Sequence, residues 1–83
     1  MEKSPLEKRR NRTGMSRVQL AIRAGMGVST LQNIENGCLQ RLGLLSSVRL
    51  ARVLDVDDPG VLQTEYSEWR AAYARELAGK EDN

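Results

Sequence analysis

The stretch SRVQLAIRAGMGVSTLQNIENG, residues 16–37, constrains the fold more than any other part of the chain. Ser16 can cap the free amides of a helix, Gln19 can return a bond to the Ser16 amide, and Met15 and Leu20 stand at the spacing of a hydrophobic staple. This signature predicts a helix from Arg17 to about Arg23, ended by Gly25. A second short helix is predicted from about Val28 to Asn36 and closed by Gly37, because glycine takes the left-handed conformation at a helix end without steric cost. The apolar positions of the pair are Leu20, Ala21, Ala24, Met26, Leu31 and Ile34. Ala21 is small enough to let two backbones approach, and Gly25 supplies the positive φ of a short turn, so the two helices are expected to cross steeply. An ordinary helical hairpin is the competing arrangement. The register of the apolar positions around one glycine favours the steep crossing.

The flanking sequence supplies three more helices. In SPLE, Ser4 is a cap, Pro5 suits the first helical position and Glu7 completes a capping box, which predicts a helix to about Thr13 with Leu6 as its one large apolar residue. Leu44, Val48, Ala51 and Leu54 recur at three- and four-residue spacing and mark a helix from about 44 to 54, with Gly43 or Ser46 as its cap. Asp58-Pro59 opens the last helix, and nothing interrupts it until Gly79. From Pro59 to Ala78 it would span about 30 Å. The tail GKEDN is expected to fray. Phe is absent and aromatics are 4% of residues, while Leu, Val, Ala and Met carry the apolar content, which favours helix over strand. The fold class expected is all-α with five helices.

A chain of 83 residues makes one small domain that buries only about 60% of its unfolded surface, so a partner surface would help it. There is no His and one Cys, so no metal cluster, no cofactor and no catalysis is expected. Cys38 cannot form an internal disulfide and reads as a passive thiol. The absence of any signal-like or membrane-length apolar run points to a cytoplasmic protein with no membrane partner. Charge is unevenly spread: residues 1–25 carry +5, residues 26–54 carry +2 and residues 55–83 carry −5. One end is suited to phosphate and the other repels it.

On a helical wheel with Val28 at 0°, Gln32, Asn36, Ser29 and Asn33 lie at about 40°, 80°, 100° and 140°, whereas Ile34 and Leu31 lie at about 240° and 300°. One face is built to pack and the other is amide and hydroxyl. Asn or Gln can bond adenine at two points, Ser serves several bases, and Val28 can touch a thymine methyl, so Val28, Ser29, Gln32 and Asn33 are the candidate base-reading residues. A solvated face would look similar but would ordinarily carry Lys or Glu. Arg17, in the first turn of its helix, stands where free amides and the helix dipole also favour phosphate.

At this point the chain resembles the Cro and phage-repressor type helix-turn-helix proteins, also called the xenobiotic-response-element family. The matching stretch is GMSRVQLAIRAGMGVSTLQNIENG, residues 14–37, without a gap; with Arg10 upstream and RLARVLDV downstream the likeness covers about residues 5–62. It departs from the family at Gly27, Val28 and Asp55. The resemblance implies a five-helix, lambda-repressor-like fold that lays its third helix in the major groove of double-stranded DNA as a two-fold dimer. It further implies phosphate contacts from Ser16, Arg17 and Asn36, with Arg41 in the following loop as a further candidate, and an internal ion pair between Arg10 and Glu35. Residues 1–62 are then the DNA-binding domain, with the helix-turn-helix at 16–36.

Within the last helix, Leu62, Tyr66, Trp69, Tyr73 and Leu77 fall on a stripe roughly 80° wide. Such a stripe can complete the chain's own core, which accounts for Leu62 and is an alternative place for Tyr66. It can also seat a second subunit, and residues 59–83 are expected to be a dimerisation element that uses Tyr66, Trp69, Tyr73 and Leu77. The function these features imply is a sequence-specific DNA-binding transcriptional regulator, most simply a homodimeric repressor on a pseudo-palindromic operator. The alternative is a protein-binding module, such as the antitoxin of a toxin pair, with the aromatic stripe against a protein partner.

Overall fold

Local capping chemistry sets the limits of the first two helices. The structure, a computed structural model, describes residues 3–81, with side chains as far as Gly79. Its helices are α1 (Pro5–Thr13), α2 (Arg17–Ala24), α3 (Val28–Glu35), α4 (Leu44–Leu54) and α5 (Pro59–Glu81). Ser4 Oγ accepts from the Glu7 amide at 3.2 Å to start α1. Both halves of the α2 capping box form: Ser16 Oγ accepts from the Gln19 amide, and Gln19 Oε1 accepts from the Ser16 amide at 2.9 Å. Met15 and Leu20, the residues of the staple, both sit in the core. Asp55 ends α4 at φ 59°, a left-handed conformation that costs a side-chain-bearing residue more than glycine.

Both α5 and α4 differ in detail from the sequence reading. α5 continues through Gly79 to Glu81, because one glycine weakens a helix by about 1 kcal/mol relative to alanine without ending it. Asp82 and Asn83, the rest of the tail expected to fray, lie outside the described residues. In α4 the extent is as read but the packed face is not: Ser47, Leu50, Ala51 and Leu54 are buried, whereas Leu44 and Val48 stand 67% and 45% exposed. Two stripes overlap on this helix, and Ala51 and Leu54 complete the three-four spacing of either one.

The core is shared by all five helices. Leu6, Leu20, Ala21, Ala24, Leu31, Ile34, Leu50, Leu54, Leu62 and Tyr66 close on one another, joined by Leu42 from the α3–α4 loop. α2 packs on α3 and α4, while α5 packs on α4 and α1. That order leaves the outer face of α3 uncovered. No helix among the described residues is long and apolar enough to cross a membrane.

α5 does not stand away from this core. Tyr66 is fully buried and its hydroxyl donates to the Leu39 carbonyl. Burial pushes the Tyr66 phenol above its ordinary pKa, an effect that the bond to Leu39 partly offsets. Trp69 packs against the same cluster. Tyr66, Trp69 and Tyr73 meet ring to ring with centroids 5.8 Å apart at each step. The reason is Gly37: its φ of +75° turns the chain after α3, and a Cβ there would lie 2.9 Å from Trp69 Cη2 and 3.4 Å from Tyr73 Cδ2. The missing side chain is the seat of the aromatic pair. Tyr66, expected at a dimer interface, therefore belongs to the protomer's own core, and Trp69 and Tyr73 are half-buried beside it. Leu77 alone of the four is exposed.

Candidate nucleic-acid interface

The α2–α3 unit is held at its turn from several sides. Gly25 takes φ 70° and ψ 36°, and the next amide, that of Met26, donates to the Ala21 carbonyl at 3.0 Å. Arg49 Nη1 of α4 donates to the Gly25 carbonyl at 2.9 Å, so the turn is fastened to the body of the domain. Ala21 is fully buried, as a close crossing of two backbones requires. Leu31 and Ile34 face inward, and Val28, Ser29, Gln32, Asn33 and Asn36 are all exposed. Packing behind and polar side chains in front give α3 an uncharged polar outer face.

The one charged residue of α3 is withdrawn from that face. The Glu35 side chain is 0% exposed. Its Oε2 accepts from Arg10 Nε at 2.8 Å, and its Oε1 accepts from Arg10 Nη2 at 3.3 Å and from Arg17 Nε at 2.8 Å. Arg10 Nη1 also donates to the Met15 carbonyl at 3.1 Å. The hydrogen bond to Glu35 holds the Arg10 guanidinium above its ordinary pKa against the opposing effect of burial. A buried carboxylate must be neutralised and hydrogen-bonded, and here two guanidinium groups do both. This cluster ties α1, the start of α2 and the end of α3 into one rigid unit.

Arg17 is the residue that the structure changes most. Read as a free phosphate contact, it is also a partner of Glu35, and its side chain remains 33% exposed. The bond brings the start of α2 to the last turn of α3, which groups Ser16, Arg17 and Asn36 at one end of the helix pair. The Ser16 hydroxyl already accepts within the capping box, so toward an oxyanion it has only its proton to offer. Arg41 is exposed in the loop after α3. Arg9 forms an ion pair with Glu65 of α5 at 2.8 Å. That pair and the Arg49 bond are not legible in the sequence, because nothing local relates Arg9 to a residue 56 positions away or Arg49 to a carbonyl 24 positions away. Gly27, at the start of α3, makes no side-chain cap bond, which leaves the first amides of that helix to other partners.

A capped α2, a left-handed glycine turn and a packed α3 with its polar face outward are what a helix-turn-helix requires. A helix-turn-helix family model matches residues 6–60. No curated protein and no solved structure matches the chain. With more than half of its length matched and the geometry in place, the chain belongs to the Cro/C1-type helix-turn-helix family, whose members are DNA-binding regulators.

Proposed function

We propose that the protein is a sequence-specific regulator that lays α3 into the major groove of double-stranded DNA and acts, as a dimer, by occluding a promoter. The observation that carries this reading is the composition of the exposed α3 face: Ser29, Gln32, Asn33 and Asn36 point outward, and the only acid on the helix is buried and neutralised. Amides and hydroxyls discriminate base edges, with Val28 at the flank for a thymine methyl. The backbone grip comes from Ser16, Arg17, Asn36 and Arg41, since phosphate contacts position a protein and base contacts specify. No Arg lies on the reading face, so two-point recognition of guanine from α3 is not available, and the contacted core is expected to lean toward A·T pairs. Such a regulator works in the cytoplasm, where the DNA is.

A second copy would double the short reach of an eight-residue reading helix. With Tyr66 buried, the exposed apolar side chains on α4 and α5 that could meet it include Leu77 and the Leu44, Leu45 and Val48 side of α4, where Leu45 is 64% exposed. A toxin-binding role for the aromatic stripe would rest on Leu77 and on the half-buried Trp69 and Tyr73. Footprinting tests the proposal, because one protected site reveals sequence, symmetry and spacing together. Half-sites about 34–36 Å apart are expected. A dimer neutralising about 6–10 phosphates should lose about 10³–10⁵ in affinity between 50 and 200 mM salt, and binding indifferent to salt would contradict the reading.

A further inference from the structure

Glu35 is shared unequally by its two arginines. Arg10 is 11% exposed, donates two bonds to the carboxylate and a third from Nη1 to the Met15 carbonyl, so all three of its nitrogens are engaged inside the domain. Arg17 meets Glu35 through Nε at 2.8 Å and stays a third exposed. Two guanidinium groups around one carboxylate also leave a surplus positive charge, and Arg10 is too deep to present it. Fastened by Nε, the planar Arg17 guanidinium keeps its far edge, Nη1 and Nη2, for an oxyanion. A guanidinium can serve two acceptors on different edges at once, whereas an ammonium on a flexible stem is a point charge with no fixed edge.

We propose that Glu35 is a positioning residue for the DNA backbone: it orients Arg17 so that the outward edge of the guanidinium meets a phosphate in one fixed register with the last turn of α3. This rests on the reading of the protein as a DNA binder. Sequence choice and backbone grip are then mechanically joined, because the carboxylate that holds Arg17 belongs to the reading helix itself. Glu35 touches no DNA and acts only through Arg17.

The test uses the full chain and a mixed-sequence duplex, with affinity measured from 50 to 200 mM salt and the thermal midpoint of each variant recorded. Arg17→Lys keeps the charge and loses the fork, so affinity should fall about tenfold at every salt concentration with the salt slope preserved. Arg17→Ala should also weaken binding and should flatten the slope by about one phosphate. Arg10 still neutralises Glu35 in both variants, so both are expected to fold. Glu35→Gln gives an independent sign. Removing a negative charge near DNA should by itself tighten binding, whereas loss of positioning should loosen it several-fold in the folded variant. Should Glu35→Gln prove unfolded by its midpoint, Glu35→Asp takes its place: it keeps the charge and shortens the reach to Arg17, so the folded variant should bind several-fold more loosely, and wild-type affinity would overturn the inference. Wild-type affinity in Arg17→Lys, or tighter binding by folded Glu35→Gln, would overturn the inference while leaving DNA binding intact. Failure of the wild-type chain to bind the duplex would overturn DNA binding and the inference together.

Discussion

Gly37→Ala is expected to be the most damaging single-methyl change in the molecule. Two separate costs meet there. The residue sits at φ +75°, where a side chain costs about 1–2 kcal/mol relative to the right-handed region. Its new Cβ would also lie 2.9 Å from Trp69 Cη2 and 3.0 Å from Cζ3, so the indole must move, and overpacking of this kind costs about 1–3 kcal/mol. Together these give about 2–5 kcal/mol, a large share of the stability of so small a domain. Gly14 provides the control: its φ is +76° and a Cβ added there would meet no atom within 4 Å, so Gly14→Ala should show the backbone cost alone. Urea unfolding followed by the fluorescence of Trp69, the only tryptophan, measures both. The difference between the two variants isolates the seat of α5 on the α3–α4 turn. Equal losses would refute the placement of Trp69 and return the aromatic stripe to the surface.

Arg10→Ala removes the better-buried partner of Glu35 and should cost about 3 kcal/mol, the low end for a broken buried pair because Arg17 remains; loss of DNA binding in this variant must be read beside its circular dichroism. Asp55→Gly should raise stability by about 0.5 kcal/mol, the relief of a left-handed side chain less the added entropy of the unfolded chain, seen as a higher urea midpoint at unchanged slope. The raised pKa of Tyr66 gives a pH dependence of definite sign. The neutral phenol is the form that folding favours, so its contribution is complete below the unfolded value of about 10 and is lost as pH climbs from there toward the folded value. Tyr66→Phe should show a smaller alkaline loss than the wild type in the same titration, and an identical loss would count against a buried donor.

Much of the fold could be read from punctuation. Ser4, Ser16, Gly14, Gly25 and Pro59 act within a few residues of themselves, so the helix limits follow from local chemistry. The outward face of α3 was legible for a related reason: Leu31 and Ile34 leave only one side to pack, and the wheel assigns the rest. What stayed hidden depends on contacts between distant segments. Where Trp69 and Tyr73 pack turns on a missing Cβ at Gly37, which no periodicity within α5 reports. Which stripe of α4 is buried depends on where α2 and α5 lie, since Ala51 and Leu54 fit both. The second arginine on Glu35 was out of reach as well. A carboxylate has room for two donors, but sequence spacing does not say that Arg17 comes within 2.8 Å of it.

On the proposed division of labour, uncharged side chains on α3 choose the bases while arginines elsewhere hold the backbone. Selection of bound sites from a pool of randomised duplexes, carried out in parallel with wild type and Asn33→Ala, tests it most directly. The variant should keep its fold and its affinity for mixed sequence but lose preference at one or two positions of the selected site, at a cost of about 1–3 kcal/mol in discrimination. An unchanged selected sequence would contradict it.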